Sequence, residues 1–484
     1  MSRPANLRIT ILPPRNGMLN CVPTNTTERA AMSLIDKLQG ILPSDRVITQ
    51  PDQLNAVAGD ESTLPRVVPS ALVRAMSAEE IARVVRVCVE TGTPITTRGA
   101  GSALEGSTVP VRGGIVLDLS GMTEVLNLWV DDLQVQVEPG LIYDHLNATL
   151  KNEGLFFPPS PGGSGDIATI GGMVSTNASG IYSVKYGGTR EYVLALEAIT
   201  GEGEIVRIGT RASKRSSGYN LVDLIAGSEG TLAIISKITL KLAGLPEGRK
   251  QTAYVFESER DAARAVSEMA RYGLDLAAIE FLDRRLTVAL NKLKGYGLKE
   301  APMLFLEFHG PEPVLESNSE LADGICEELR ATPIVLGEGQ RPWEIRHWAT
   351  DAIKHFIPNK SILRNDVAFP ISHLPEMVEY CHQLGDEASI PMFTFGHVGM
   401  GLLHALMLAD QDDPEEWGRA QQINNRIIRR AIEVGGTISG EHGIGLGHKE
   451  LFGEEHGASV ELMRRIKRQF DPHNILNPGK IFDL

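Results

Sequence analysis

Residues 160–180 read SPGGSGDIATIGGMVSTNASG, and this stretch decides how the rest of the chain is interpreted. Six of its 21 residues are glycine and only Asp166 is charged, so the backbone can lie close against a ligand. Successive amides in such turns form concavities that bind anions. A flexible Gly/Ser linker is the alternative, but a solvated linker has no need of apolar residues such as Ile167, Ile170 and Met173. The stretch is neither a P-loop nor a Rossmann fingerprint, because no GK[ST] follows it and no GxGxxG opens a helix after a strand. We therefore expect it to hold a nucleotide cofactor in another way.

The composition is that of an ordinary globular protein. The 484 residues predict two or three domains, and the net charge of −14 argues against nucleic acid or an anionic membrane as a partner. No run approaches 18 apolar residues and the N-terminus lacks a signal peptide, so we expect a cytoplasmic protein without a transmembrane segment. The four cysteines are far apart and form no CxxC, which encodes neither an iron–sulfur cluster nor a disulfide framework: Cys21, Cys88, Cys326 and Cys381.

The N-terminal half reads as one α+β unit that contains a second glycine-rich segment. Ser77 and Glu80 form a capping box that predicts a helix ending at Gly92. A strand at 94–97 then leads into RGAGSALEG, residues 98–106. Weaker patterns predict a helix at 28–40, strands at 114–119 and 133–137, a helix at 142–152, and strands at 192–200 and 205–208.

The pattern changes after residue 250 to strand, charged helix and strand. TAYVFES, ERDAARAVSEMARYG and AAIEFLD form the first set, and MLFLEFHG, a helix at 313–330 and TPIVLGEG repeat it more loosely. Such a duplication predicts a separate domain of sheet and helices. The segment from 462 to 480 has too few apolar residues to stand alone, so we expect it to pack against the first domain.

Histidine and glutamate residues form a second candidate site. His397 and His404 frame the motif HVGMGLLH, and Glu441 and His442 follow in TISGEHG. Two imidazoles and one carboxylate suit a divalent metal with open coordination positions. Ordinary hydrogen-bonded histidines explain the spacing equally well, and Gly399 argues against a helix, so only a bend would turn both rings inward.

Segment 98–106 resembles the phosphate-cradling loop of the flavin oxidoreductases typified by vanillyl-alcohol oxidase and p-cresol methylhydroxylase. The resemblance continues through PPSPGG, ATIGGMVSTNASG, KYGGTREYVLALEAITGEGEIV, GYNLVDLIAGSEGTLAIIS and HNILNPGK, and so covers nearly the whole chain. Within that family the chain is most similar to the glycolate oxidase FAD subunit, D-lactate dehydrogenase and D-2-hydroxyglutarate dehydrogenase group.

The resemblance implies an α+β fold. It predicts a two-subdomain FAD-binding domain of the p-cresol methylhydroxylase type at 28–245, after a poorly ordered extension at 1–27. A substrate (cap) domain at 246–445, with an antiparallel sheet flanked by helices, would carry the metal and catalytic residues. The segment 446–484 would return to the FAD-binding domain.

The resemblance also implies FAD, with its pyrophosphate on the backbone of 98–104 and its isoalloxazine against 161–180. Ser102 stands where some relatives attach the flavin covalently through a histidine, so non-covalent FAD is expected. The predicted cofactor-binding residues are Arg98, Gly99, Ala100, Gly101, Ser102, Ala103, Pro161, Gly162, Thr169, Gly171, Gly172, Asn177, Ser179, Gly180, Glu229, Gly230, Ile235 and Asn477.

In the 2-hydroxy-acid group the histidine motif reads HxGDGNxH, and its histidines with the glutamate of EHG[IV]G hold a metal. By this resemblance His397, His404 and Glu441 are the ligands of a divalent metal, Zn, Mn or Fe. The chain departs from the pattern at three positions, Met400, Leu402 and Leu406. These changes either weaken the support of the ligands or mark a pocket for a less polar or bulkier substrate.

Three further residues are predicted to bind the substrate carboxylate. Arg346 belongs to a segment that matches the family's WxxR, Thr350 follows one helical turn later, and Arg364 falls where hydroxyglutarate relatives have a substrate-binding lysine. Arginine's planar fork suits carboxylates, although Arg346 could equally pair with an acidic neighbour. His442 is the predicted general base, because imidazole titrates near neutrality; orienting a neighbouring group is its alternative role.

These features predict an FAD-dependent dehydrogenase that oxidises a 2-hydroxy acid to the 2-oxo acid, with metal assistance. Two rival functions stay open: a metal-free flavoenzyme of the same fold that acts on a less polar alcohol or phenol, and a non-catalytic FAD-binding subunit. Without cluster cysteines, we expect electrons to pass to an iron–sulfur subunit, an electron-transfer flavoprotein or a quinone. A homodimer is a further expectation.

Overall fold

The structure is a computed structural model that describes residues 34–334 and 341–484. The predicted extension at 1–27 and the first residues of the helix predicted at 28–40 lie outside the described residues. Within the described ranges, no helix is long and apolar enough to cross a membrane.

The elements mix helices and strands throughout. Helices are 34–39 (α1), Pro51–Ala56 (α2), Ala78–Thr91 (α3), Tyr143–Lys151 (α4), Ile170–Thr176 (α5), Ser183–Tyr186 (α6), Leu221–Ile225 (α7), Glu259–Arg271 (α8), Arg284–Lys294 (α9), Glu312–Glu328 (α10), Pro342–His347 (α11), Ala349–Lys354 (α12), Leu374–Ala388 (α13), Pro414–Glu433 (α14), Phe452–His456 (α15) and Ser459–Phe470 (α16). Strands are Val47–Ile48 (β1), Ala71–Arg74 (β2), Ile95–Arg98 (β3), Ile115–Asp118 (β4), Val125–Trp129 (β5), Gln134–Val137 (β6), Leu155–Phe156 (β7), Val193–Ile199 (β8), Ile205–Gly209 (β9), Ile234–Lys241 (β10), Ala243–Gly244 (β11), Gly248–Val255 (β12), Ala278–Leu282 (β13), Met303–Gly310 (β14), Thr332–Pro333 (β15), Ser361–Ala368 (β16), Met392–Gly396 (β17) and Leu402–Ala409 (β18).

The first glycine-rich segment follows a strand of a small, mostly parallel sheet. Its order is β1-β2-β4-β3, with β2, β4 and β3 parallel and β1 antiparallel to β2. The Ser77 hydroxyl accepts a hydrogen bond from the Glu80 amide, which caps α3 as the capping box predicts, and α3 ends at Gly92 in the left-handed region. Strand β3 then leads directly into the loop at 98–106. The α+β fold class is confirmed.

A second, antiparallel sheet has the order β5-β6-β10-β8-β9. Between its strands, part of the stretch 160–180 forms a short helix, α5, which the sequence analysis did not predict. Ile170, Met173 and Val174 are buried in the core beneath this sheet, and their burial outweighs the weak helix propensity of glycine.

The C-terminal half is a seven-stranded antiparallel sheet with the order β15-β12-β14-β13-β17-β18-β16. Strands β12 to β15 with α8 and α10 have the ferredoxin-like strand order, which agrees with the predicted duplication. A further strand–helix–strand unit, β16-α13-β17 with β18 between its strands, extends the sheet beyond the prediction. The two units join at β13 and β17, where Phe281 pairs with Gly396.

The two faces of this sheet differ in what they carry. One face packs against α8, α10, α13 and α14 in the largest apolar cluster of the described residues. The other face packs in part against α9 and α12. Buried polar side chains on this second side include Glu280, Glu307, Asp366 and His404.

The C-terminal segment adds to the first sheet. Ile95 of β3 pairs in parallel with Leu476: the Ile95 amide donates to the Ile475 carbonyl, and the Asn477 amide donates to the Ile95 carbonyl. The C-terminal segment therefore lies beside the strand that leads into the loop at 98–106.

Candidate functional site

A large cavity lies between the loop at 98–106 and the stretch at 160–180. It encloses about 1270 Å³ of empty space including its open mouth. Its walls are mainly bare backbone and small side chains, which leave room for an extended ligand to lie against peptide amides. The two glycine-rich segments meet at its base, where a Cβ on Gly99 would lie 2.4 Å from the Thr169 hydroxyl. At its other side the cavity reaches Glu441 and His442.

Most of the predicted cofactor-binding residues line this cavity: Arg98, Gly99, Ala100, Gly101, Ser102, Ala103, Pro161, Thr169, Gly171, Gly172, Glu229, Gly230 and Ile235. Gly162, Asn177, Ser179, Gly180 and Asn477 lie outside its lining. Two of them have other roles in the structure. Asn177 caps α5 in the left-handed region, and Asn477 donates from its amide nitrogen to the carbonyls of Ser107 and Glu229.

Ser179 connects the cavity wall to the second candidate site. Its hydroxyl donates a 2.8 Å hydrogen bond to Glu441 Oε2. The residue next in sequence, Gly180, has φ of +94°, and a Cβ there would lie 1.7 Å from the Ser160 carbonyl oxygen. Only glycine can occupy this position without moving the backbone.

The carboxylate of Glu229 is hydrogen-bonded to other residues of the protein. It accepts hydrogen bonds from the Ser107 hydroxyl at 2.6 Å, the Ile444 amide at 2.7 Å and the Gly445 amide at 2.9 Å. Burial raises the pKa of Glu229, although these hydrogen bonds oppose the shift. Glu229 therefore holds the loop that follows Glu441 against the N-terminal half of the chain.

The three predicted metal ligands converge. His397 Nε2 lies 3.4 Å and His404 Nε2 lies 3.5 Å from the same oxygen, Glu441 Oε1. Atoms that each lie about 2.1 Å from one metal are about 3.0–3.4 Å apart, so this spacing fits a shared cation. The bend that the glycines predicted is present, because a turn at 398–400 separates β17 from β18 and Gly401 takes a positive φ.

The Nδ1 atom of each of the two histidines faces a carboxylate. His397 Nδ1 hydrogen-bonds to Glu280 Oε1, and His404 Nδ1 lies 3.4 Å from Asp366 Oδ1. Metal-binding histidines usually have such a partner on the other ring nitrogen, which fixes the ring and its tautomer. The donor set therefore suits a divalent metal.

Asp366 also organises the turn that carries Glu441 and His442. Its Oδ2 accepts hydrogen bonds from the amides of both residues, at 2.8 and 2.9 Å, and from the Ser439 hydroxyl at 3.1 Å. Asp366, His404, Glu441 and His442 form a group whose ligand atoms all lie within 4.8 Å of one another, and His397, whose Nε2 lies near Glu441, is not part of this group. Three donors already occupy Asp366 Oδ2, so we assign Asp366 a supporting place rather than a place among the ligands.

The charges of the cluster are strongly coupled. Burial lowers the pKa of His397, but Glu280 and Glu441 outweigh it and raise the value to about 10. In the same way Asp366 outweighs burial at His442, whose pKa rises to about 9. Burial alone raises the pKa of Glu441, but the neighbouring histidines lower it to about 2. A divalent cation would balance the negative charge of these carboxylates in place of the protons on the histidines.

His442 stacks on His404, with ring centroids 5.3 Å apart, and its Nδ1 lies 3.8 Å from both Glu105 Oε1 and Asp366 Oδ2. Glu105 is buried at the end of the loop at 98–106, and its Oε2 lies 3.4 Å from His448 Nε2. The sequence reasoning missed Glu105, Asp366 and His448. Glu105 belongs to the first glycine-rich segment, whose residues 103–106 read ALEG, but nothing in the local sequence marks it as a partner of His442.

The predicted carboxylate-binding residues are placed differently from one another. Arg346 donates from Nε to Glu280 Oε2 at 2.6 Å, and its guanidinium lies 4.5 Å above the Phe395 ring. Arg364 lies on β16 opposite Leu406 of β18, and its guanidinium has no hydrogen bond or ion pair to any described residue. Burial lowers the pKa of Arg364. A partly buried guanidinium without a protein partner suits an incoming anion.

Thr350 is not on one continuous helix with Arg346. Trp348 breaks the segment into α11 and α12, so the one-turn spacing read from the sequence does not apply across the break. Trp343, also on α11, instead donates from its indole nitrogen to the buried Glu307, which accepts from Tyr182 at 3.2 Å as well. Glu307 thus ties α11 to the chain that follows the stretch at 160–180.

The three departures from the family motif have separate environments. Leu402 and Leu406 are each 3% exposed, whereas Met400 is 54% exposed. Leu402 packs on the turn at Gly440, where a Cβ would meet its side chain at 2.6 Å. Leu406 belongs to the apolar cluster on the site face of the sheet, together with Phe395.

Comparison with known proteins identifies both halves of the chain. Residues 69–209 match the FAD binding domain family, and residues 245–481 match the C-terminal domain of the FAD linked oxidases. The FAD-binding assignment agrees with the cavity described above.

Curated relatives cover most of the chain. The probable mitochondrial D-lactate dehydrogenase of Danio rerio is 36% identical over 88% of this chain and 86% of its own length. The mitochondrial D-lactate dehydrogenase [cytochrome] of Arabidopsis thaliana is 33% identical over 93% of this chain and 80% of its own length. Glycolate oxidase subunit GlcD of Bacillus subtilis is 34% identical over 86% of this chain and 89% of its own length.

Solved structures share the fold. Substrate-bound p-cresol methylhydroxylase superposes with a TM-score of 0.82 at 19% identity, covering 96% of this chain and 99% of that chain. The 4-ethylphenol oxidase of Gulosibacter chungangensis gives a TM-score of 0.78 at 17% identity, with 96% and 99% coverage. The predicted p-cresol methylhydroxylase type of fold is thereby confirmed.

Proposed function

This chain belongs to the FAD-linked oxidase family, and from that premise we propose that it oxidises a 2-hydroxy acid to the 2-oxo acid. The substrate would be of the D-lactate, glycolate or D-2-hydroxyglutarate type, since relatives are named D-lactate dehydrogenase and glycolate oxidase subunit. One observation carries the proposal: Glu441 and His442 line the same cavity as the loop at 98–104. A candidate metal ligand and a candidate base thus stand at the FAD cavity.

We propose that His397, His404 and Glu441 hold a divalent metal, Zn²⁺, Mn²⁺ or Fe²⁺. When bound, FAD supplies a two-electron acceptor for hydride, and the metal supplies a Lewis acid for the substrate hydroxyl. The fit rests on the two Nε2 atoms that face one Glu441 oxygen, and on the carboxylates behind both rings.

The chain's own residues would bind the substrate and move its proton. Arg364 has no partner among the described residues, and Arg346 uses only Nε for Glu280, so both can offer N–H groups to the substrate carboxylate. His442 turns Nδ1 toward Glu105 and Asp366, so Nε2 is the atom that would take the hydroxyl proton. Thr350 stays a predicted contact.

Electrons would leave reduced FAD for a separate acceptor, an iron–sulfur subunit, an electron-transfer flavoprotein or a quinone. Relatives in Arabidopsis thaliana and Saccharomyces cerevisiae are named cytochrome D-lactate dehydrogenases. The homodimer and the cytoplasmic location stay predictions.

The proposal is tested by metal analysis of the purified, FAD-loaded protein together with anaerobic flavin bleaching by D- and L-2-hydroxy acids. We expect about one divalent metal per FAD, and bleaching that is lost after chelation and restored by added metal. Bleaching by a hydroxy acid that survives complete metal removal would refute metal assistance. Bleaching by an alcohol or phenol, but by no hydroxy acid, would favour the metal-free flavoenzyme for a less polar substrate. A flavin that no hydroxy acid, alcohol or phenol reduces would favour a non-catalytic subunit.

A further inference from the structure

A single buried carboxylate, Glu280, joins the candidate metal site to the candidate carboxylate site. Glu280 lies on β13 and is 0% exposed. Its Oε1 accepts a hydrogen bond from His397 Nδ1, and its Oε2 accepts one from Arg346 Nε at 2.6 Å. None of the sequence motifs described above contains this residue, which is 66 positions from one partner and 117 from the other.

The chemistry of the two partners requires a carboxylate here. An arginine Nε can only donate, and His397 Nδ1 must donate if its Nε2 is to offer a lone pair toward Glu441. An ionised carboxylate accepts at both oxygens, whereas a glutamine would present an N–H₂ group to one of two donors. Glutamate at 280 therefore orients the ring of His397 and the guanidinium of Arg346 at the same time.

Glu280 binds only one nitrogen of each partner, so His397 Nε2 and the terminal nitrogens of Arg346 do not contact it. His397 Nε2 lies 3.4 Å from Glu441 Oε1, and the terminal nitrogens of Arg346 have no hydrogen-bond partner among the described residues. The Phe395 ring beneath the guanidinium, at 4.5 Å, limits its rotation. One carboxylate thus fixes one nitrogen of a candidate metal ligand and one nitrogen of a candidate anion-binding group, and their other nitrogens stay available to other partners.

We propose that Glu280 is a positioning residue that sets the metal ligand His397 and the substrate-binding Arg346 in register with each other. This role rests on the proposed function. A hydroxy acid bound by its carboxylate at Arg346 then presents its hydroxyl at a distance from the metal that Glu280 determines. Metal affinity and substrate affinity should therefore fall together when Glu280 is changed.

Asp283 provides a matched control. It follows β13 directly, is also 0% exposed, and accepts hydrogen bonds from the Leu286 amide at 2.7 Å and from the Thr394 hydroxyl at 3.0 Å. It contacts neither His397 nor Arg346 in the described structure. Asp283→Asn therefore reports the general cost of neutralising a buried carboxylate in this region.

The experiment compares the FAD-loaded wild type, Glu280→Gln, Glu280→Asp and Asp283→Asn. Mn²⁺ affinity is measured on the oxidised proteins by the loss of the free-ion electron paramagnetic resonance signal. The Kd for D-lactate is measured by anaerobic flavin reduction at saturating Mn²⁺. The flavin spectrum and the FAD stoichiometry report folding independently of either site.

We expect Glu280→Gln to weaken Mn²⁺ binding about tenfold to 100-fold and to raise the Kd for D-lactate, with an unchanged flavin spectrum. Glu280→Asp keeps the charge but is too short to reach both partners, so an intermediate effect is expected. Asp283→Asn should change Mn²⁺ affinity less than about twofold, because it touches neither partner.

Mn²⁺ affinity in Glu280→Gln within twofold of wild type would overturn the proposal, and so would an equal loss in Asp283→Asn. If the wild type binds no Mn²⁺, the positioning role fails whether or not hydroxy acids reduce the flavin. If the wild type binds Mn²⁺ but no hydroxy acid reduces its flavin, the proposed function fails, and the Mn²⁺ affinities of the variants still decide the role of Glu280.

Discussion

Replacing Glu229 with alanine should loosen the loop that carries the candidate metal ligand and base. Three buried donors converge on this carboxylate: the Ser107 hydroxyl and the amides of Ile444 and Gly445, at 2.6, 2.7 and 2.9 Å. Ser107 follows the loop at 98–106, while the two amides follow Glu441 closely in sequence. The substitution therefore cuts the link between the cavity wall and the turn that carries Glu441 and His442.

The magnitude follows from the donors left without an acceptor. Each buried unsatisfied donor costs about 1–3 kcal/mol, so Glu229→Ala should lower the free energy of unfolding by about 3–6 kcal/mol after partial relaxation. Glu229→Gln should cost about 1–2 kcal/mol, because one amide oxygen still serves Ile444 while the amide nitrogen faces the Gly445 donor. Burial already raises the pKa of Glu229, which makes a neutral isostere more tolerable than a truncation.

The assay is urea denaturation of the FAD-loaded protein followed by flavin fluorescence, with anaerobic flavin reduction measured on the same preparations. Glu202→Ala serves as the control, because Glu202 is exposed and its loss should cost less than about 0.5 kcal/mol. We expect flavin reduction to slow in Glu229→Ala even at urea concentrations where the protein is fully folded. A destabilisation below about 1 kcal/mol, or equal effects of the alanine and glutamine variants, would refute the reasoning.

Three further substitutions test separate parts of the structure. His442→Asn should retain FAD but slow flavin reduction by a hydroxy acid about 10²- to 10⁴-fold; a rate near wild type would remove His442 as the base. Gly180→Ala should lower the FAD content of the purified protein, because φ is +94° and the new Cβ would lie 1.7 Å from the Ser160 carbonyl oxygen. Gly163→Ala, whose Cβ would have no neighbour closer than 3.7 Å, is its control, and equal FAD content in both would contradict the steric argument. Burial lowers the pKa of Lys480 from 10.5 to about 8, so between these pH values the native state has lost a proton that the unfolded state keeps. The urea midpoint of the wild type should therefore rise with pH in this window relative to that of Lys480→Met, and parallel profiles would contradict the shift.

Much of the fold could be predicted because its signals are local. The capping box at Ser77, the end of α3 at Gly92 and the alternation of strands with helices in the C-terminal half depend on residues close in sequence. Helix α5 could not be predicted in this way, since its glycines disfavour a helix and only the core beneath it supplies the compensating burial. Strand β5, Val125–Trp129, was missed for a related reason, because none of its residues is fully buried and its apolar pattern is weak.

The candidate site also has parts that local sequence could predict and parts that it could not. Glycine-rich segments and short histidine motifs are contiguous, so the sequence pointed to the cavity loops and to His397, His404 and Glu441. Arg346 and Thr350 illustrate the limit, because a one-turn spacing has meaning only on an unbroken helix and Trp348 interrupts it.

By itself, then, the sequence determined the family, the two glycine-rich segments and the identity of the candidate metal ligands. Only the tertiary structure decided which carboxylates support them. Glu105, Glu280 and Asp366 lie in separate halves or strands and are almost fully buried. A lone acidic residue in a strand carries no local sign of burial, since a buried charge is tolerated only when folding brings a donor from elsewhere in the chain to meet it. The partners of such charges are set by strand order and packing, and these depend on the whole chain.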